Sequence, residues 1–195
     1  AVPESIRMGQ LYLDVHTMPM NRSDVERAQF DASAIPGEAN GVAVGGMTVE
    51  PTGQFRYGEF VTDPALVPFA RANALVQTVW NGVLQVDKTG THAFQLSVGK
   101  EGGSSGAKTC RASLKVEGQP IIEALISNAD TSRQIYSTEQ GSISLQPGFY
   151  AFSVYMACLR YSENVFERYG ATLLMAAPGD RVAKPIPAHL FGIRE

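Results

Sequence analysis

The chain has 195 residues, 44% of them hydrophobic, and its 16 basic and 19 acidic residues leave a net charge of −3. That length suits one all-β domain with a core large enough to fold without a disulfide. The balanced charge excludes a nucleic-acid polyanion as the main partner, since that binding needs a basic stripe to release counterions. No apolar run approaches the ~20 residues of a spanning helix, and no basic amphipathic helix is present to lie on an anionic bilayer, so no membrane insertion is expected.

The chain opens with Ala1-Val2-Pro3 rather than Met, which predicts a mature form whose signal peptide has been removed, a tailored start being the alternative. Gly9-Gln10-Leu11-Tyr12-Leu13-Asp14-Val15 alternates well enough for a first strand. Ser23 to Phe30 starts with a capping Ser and early acids, predicting one or two helical turns. Ile35 to Val49 is Gly-rich and reads as a loop with a weak strand. The prolines of Asp63-Pro64-Ala65-Leu66-Val67-Pro68-Phe69 exclude a central strand, so this segment is a linking turn.

From Val76 strand follows strand. Thr78 to Val86, then Asp87-Lys88-Thr89-Gly90, then Thr91 to Val98 reads as a β-hairpin. Ser113 to Gly118 and Ile143 to Tyr155 repeat the strand–turn pattern. Turns are expected at Glu117-Gly118-Gln119-Pro120 and Gln146-Pro147-Gly148, where Pro presets φ and Gly tolerates positive φ. The last strand is expected at Ala171 to Met175. The fold class is therefore an all-β antiparallel sandwich with a few short helical turns.

Cys110 shares parity with Ala112, Leu114 and Val116, and Cys158 with Met156, Val154 and Phe152, so both point into one apolar interior. With an exported chain this predicts a Cys110–Cys158 disulfide; two buried free thiols are the alternative.

No catalytic constellation stands out. Gly99 to Thr109 looks like a phosphate loop, but Ala107 separates Gly106 from Lys108, and a strand rather than a helix follows. His16, His92 and His189 have no metal-ligand spacing, and His92 reads as a half-buried structural residue. No Gly-x-Ser-x-Gly elbow exists. Carboxylates from distant strands leave a hydrolase as a minor alternative. Asn21-Arg22-Ser23 is a formal glycosylation acceptor. Ser127 to Arg133 and Arg160 to Gly170 are polar connections offering stacking and hydrogen bonds. Each alone reads as solvated loop, and gathering of both with the Gly/Ser loop at one end of the sandwich would favour binding.

Four pieces in order resemble the protective-antigen-type (PA-fourteen) β-sandwich, the family of the flocculin adhesin lectins. They are Trp80-Asn81-Gly82-Val83-Leu84-Gln85-Val86 leading to Thr89-Gly90-Thr91-His92-Ala93-Phe94; Leu114-Lys115-Val116-Glu117-Gly118; Ile143-Ser144-Leu145-Gln146-Pro147-Gly148-Phe149-Tyr150; and Pro178-Gly179 with Ile186-Pro187-Ala188-His189-Leu190-Phe191. The resemblance covers 76–191 and implies a jelly-roll-like sandwich spanning 1–195, with 1–75 packed on it. It also implies a secreted, cell-surface or periplasmic recognition module without catalysis, binding glycan or another surface ligand through end loops. The alternative is a structural subunit of a surface appendage or secretion assembly, touching other subunits. The lectin members' adjacent calcium-binding aspartates would fall at Thr109-Cys110, where none exists, so neither a metal nor a cofactor is expected. The loop before the Leu114 strand belongs to the ligand end in the resembled fold. The expected ligand residues are therefore Lys100, Glu101 and Lys108, with Asn128, Asp130, Arg160, Glu163 and Asn164.

Overall fold

The computed structural model describes residues 2–28, 30–70, 75–100, 109–127, 136–159 and 169–195. Two antiparallel sheets face each other. Sheet A contains β1 (Ile6–Met8), β2 (Leu11–Met18), β3 (Val42–Val49), β5 (Leu75–Val86), β7 (Cys110–Val116), β8 (Gln119–Ile126), β10 (Gly148–Cys158) and β13 (Phe191–Arg194). Sheet B contains β4 (Gln54–Arg56), β6 (Gly90–Lys100), β9 (Tyr136–Leu145), β11 (Tyr169–Ala176) and β12 (Lys184–Pro185). The main path of sheet A runs β1-β13-β5-β10-β7-β8, with β2 also on β5 and β3 on β2. Sheet B runs β12-β11-β6-β9, with β4 on β11.

Period-two alternation builds the core between the sheets. Trp80, Leu84, Leu114, Val116, Phe152 and Val154 face inward from sheet A and meet Phe94, Leu96, Val98, Ala171 and Leu173 of sheet B. Phe55 meets Trp80 edge-on at 5.4 Å, and Phe152 packs on Phe191 at 4.9 Å. At Gly82 backbones crowd, because β2 and β13 share one edge of β5 there; a Cβ would lie 2.2 Å from the Gly192 carbonyl oxygen.

The expected hairpin of Thr78 to Val98 does not form. β5 pairs with β10, β2 and β13, while β6 pairs with β11 and β9 in the other sheet. The Asp87–Thr89 connection is an arch between sheets, and Gln146-Pro147 is a second arch joining β9 to β10. The two lie at the same end, since Gly148 faces Val86 and Gly90 faces Leu145. Both apolar faces must meet across the core, and a hairpin would have put them side by side. The Glu117-Gly118 turn is a true two-residue hairpin between Val116 and Gln119, with φ of 54° and 75°. Pro120 belongs to β8 rather than to the turn; it sits at a register shift on an edge strand, where its missing N–H does least harm.

Three further expectations are corrected. The helix α1 (Arg22–Ala28) is capped by Asn21, whose Oδ1 accepts the Asp24 N–H at 2.8 Å, so Ser23 is not the cap. The weak strand of Ile35 to Val49 is the eight-residue β3, paired along β2. The strand around Ala171 to Met175 is not the last: β13 follows and inserts between β1 and β5. The proline-rich link forms a 3-10 turn over Glu59–Thr62 and the short helix α2 (Val67–Ala70), outside the sheets as expected.

Candidate functional site

The ends of the strands decide where the three polar connections can meet. In sheet A, Cys110 lies opposite both Ile126 and Cys158. In sheet B, Lys100 lies opposite Tyr169, and Gly99 opposite Tyr136. The residues that border 101–108, 128–135 and 160–168 thus gather at one end of the sandwich, away from the two arches. Of the expected ligand residues, Lys100 is the last of β6, and its side chain lies outside the described residues. Glu101, Lys108, Asn128, Asp130, Arg160, Glu163 and Asn164 also lie outside them.

The base of this end is braced covalently and by hydrogen bonds. Cys110 and Cys158 form the expected disulfide (S–S 2.05 Å), and both are buried. Beside it, the Leu159 N–H donates to the Thr109 carbonyl at 2.8 Å. Tyr57 couples the sheets: its N–H donates to the Tyr169 carbonyl at 2.9 Å, and its hydroxyl to the carbonyls of Val76 and, at 3.3 Å, Cys158. Tyr169 itself is buried at the start of β11, its hydroxyl has no hydrogen-bond partner among the described residues, and burial pushes its pKa up to about 12.

The outer face of sheet A near this end is covered by residues 20–28 and 30–41. Ala28, Ile35, Leu75, Tyr155, Ala157 and Leu159 make a second apolar cluster there. Arg111 locks it in place, its Nη1 donating to the carbonyls of Ser33 (3.0 Å) and Ile35 (2.7 Å) and its Nη2 to Glu123 Oε2 (2.7 Å). The Tyr155 hydroxyl donates to the Pro36 carbonyl at 2.5 Å, and burial raises that phenol to about 12. Gln77 donates to the Glu38 carbonyl at 3.0 Å and accepts the Gly41 N–H at 3.1 Å. Ser127, the last described residue before 128–135, accepts the Ala32 N–H at 3.0 Å. The covering segment is therefore tied to the root of one polar connection. Sequence reasoning missed Tyr57, Arg111 and Gln77 as braces, because their partners are backbone carbonyls and amides remote in sequence.

Thr109 and Cys110, the pair where the resemblance would put calcium ligands, do not fit a metal. The Thr109 carbonyl is already an acceptor within the fold and the Cys110 sulfur is consumed by the disulfide, whereas calcium requires six to eight oxygens. No group of three or more His, Cys, Asp or Glu suited to a metal ion occurs among the described residues. His92 is more buried than expected, at 2% exposure, with Nδ1 3.0 Å from the Gly90 carbonyl, in keeping with a structural role.

No protein-family model matches the chain, and no curated protein matches it either. Solved structures do. The A domain of epithelial adhesin 9 from Candida glabrata, in complex with Galβ1-4GlcNAc, is 10% identical with a TM-score of 0.58 over 100% of this chain and 93% of that one. The PA14 domain of the antifreeze protein MpAFP is 13% identical with a TM-score of 0.50, over 99% and 94% of the two chains. An anti-sigma factor domain-containing protein is 15% identical with a TM-score of 0.51, over 98% of this chain and 50% of its own. The two-sheet sandwich is thus a PA14-like fold.

Proposed function

We propose that this chain is a single, exported β-sandwich domain that binds carbohydrate in adhesion and performs no catalysis. The observation that carries the reading is the strand register, which brings the roots of three polar connections to one braced end. Lys100, Glu101, Lys108, Asn128, Asp130, Arg160, Glu163 and Asn164 supply the contacts there. The likeness to an adhesin domain solved with a galactoside supports a glycan as the ligand class. The poor fit of Thr109 and Cys110 to calcium supports binding without a metal.

Gly102, Gly103 and Gly106 raise the ordering cost of binding, so affinity for a monovalent sugar is weak, with Kd nearer ~1 mM than ~1 μM, and display in many copies compensates. A glycan array with and without chelator tests this, followed by titration of Galβ1-4GlcNAc. Binding should survive chelation. Replacing Gly102 to Gly106 with a two-residue turn should abolish it and leave the Tm nearly unchanged. Binding that survives the replacement moves the site elsewhere, and chelator-sensitive binding overturns the metal-free reading. A blank array favours a structural subunit, for which β3, an uncharged strand paired on one side only among the described residues, is the natural contact.

A further inference from the structure

A second place on the molecule has the make-up of a binding site, and it lies on the outer face of sheet A rather than at the loop end. Its floor is one row of outward side chains held in register across four strands. Tyr12 of β2 lies opposite Asn81 of β5, Asn81 opposite Ser153 of β10, and Ser153 opposite Lys115 of β7. Arg194 of β13 and Gly118 also line this open groove of about 500 Å³. Three interstrand spacings make the row roughly 14 Å long.

The groove's middle is lined by the small outward residues Ala151 and Ser153, beside the place where the edge of β5 passes from β13 to β2.

Its chemistry selects a ligand. The charged residues lining it are Lys115 and Arg194, both cationic, in a chain with more acids than bases. Of the carboxylates nearby, Glu117 and Glu195 are engaged away from the proposed contacts, whereas Asp14 and Glu38 are held by Asn81 and Lys115 of the groove itself. Asp14 accepts from Asn81 at 2.6 Å, Glu117 from the Ala151 N–H at 2.9 Å, Glu195 pairs with Arg7 at 3.5 Å, and the exposed Glu38 takes one of the three donors of Lys115, at 2.6 Å. The Asp14 contact also fixes the Asn81 amide and leaves its carbonyl oxygen as an acceptor. Tyr12, 38% exposed, offers a ring face at one end of the row. The floor's backbone groups are spent on sheet pairing, so an extended peptide has no free strand edge to join, and recognition must run through side chains.

We propose that this groove binds a short acidic oligosaccharide, with Lys115 and Arg194 holding uronate carboxylates, Tyr12 stacking on a sugar ring, and Asn81 and Ser153 bonding hydroxyls. The site is independent of the loop end. The test is a titration of the full chain with trigalacturonate, followed by amide chemical shifts, at low and high salt. Shifts should centre on Tyr12, Asn81, Ser153 and Lys115, and binding should weaken at high salt. Neutral galactotriose and the Lys115→Gln/Arg194→Gln double variant should each bind at least about tenfold more weakly. The variant with Gly102 to Gly106 replaced should bind trigalacturonate like the wild type, which separates this site from the one proposed above. If the double variant fails to fold, the neutral-sugar comparison and the shift map on the wild-type chain decide. Shifts confined to the loop end, equal binding of galactotriose, or equal or tighter binding of an oligoglutamate peptide would overturn the assignment.

Discussion

Glu59 shows how one side chain ties stability to pH. Its Oε2 accepts the Trp80 indole N–H at 3.1 Å, and burial raises its pKa above the ordinary 4.5, against the opposing effects of the Trp80 hydrogen bond and the Arg56 charge. The folded protein therefore holds this proton to higher pH than the unfolded chain does. The stabilising contribution is complete below 4.5 and is lost as pH rises through the raised folded value. Glu59→Gln keeps an acceptor for Trp80 and removes the titration. Thermal melts over a pH series should show the variant gaining on the wild type from acid to neutral pH, and a constant difference would refute the account. Nothing in the sequence around Glu59 points to Trp80; the 3-10 turn that presents it is a product of packing.

At the scale of the elements, parity in β7 and β10 was enough to place both cysteines in one interior. The register then puts Cys110 and Cys158 directly opposite each other, 48 residues apart in sequence. The intact protein should weigh two hydrogens less than its reduced form. Replacing both cysteines with Ala should lower the unfolding free energy in denaturant by roughly 2–4 kcal/mol. Two alkylatable thiols in freshly purified protein would contradict the bond. The arches teach the opposite lesson. Alternation in β5 and β6 identified their buried faces, yet no local signal in Asp87-Lys88-Thr89 distinguishes a turn within a sheet from one between sheets.

Across the whole molecule, the two ends of the described chain close sheet A together. Ile6 of β1 pairs with Arg194 of β13, and the Glu195 N–H donates to the Ser5 carbonyl at 2.7 Å. Phe191, 1% exposed, plugs the core against Phe152. Phe191→Ala should therefore cost about 3–5 kcal/mol in equilibrium unfolding, although only four residues follow it in the sequence. His189→Ala, on the exposed turn just before it, should stay within about 0.5 kcal/mol. Equal effects at the two positions would mean that β13 is not part of the cooperative core.

By itself the sequence determined the class of fold, the inward faces of the principal strands, the tight turn at Glu117-Gly118 and the interior placement of both cysteines. All of these follow from period-two alternation and from the conformational limits of Pro and Gly, which act over a few residues. Only the tertiary structure decided that β5 and β6 part into opposite sheets and that β13 completes sheet A. It alone gathered the roots of three polar connections at one end and aligned Tyr12, Asn81, Ser153 and Lys115 in one row. Strand partners are chosen by burial of apolar faces between segments far apart in the chain, and that choice leaves no mark in any short stretch of sequence.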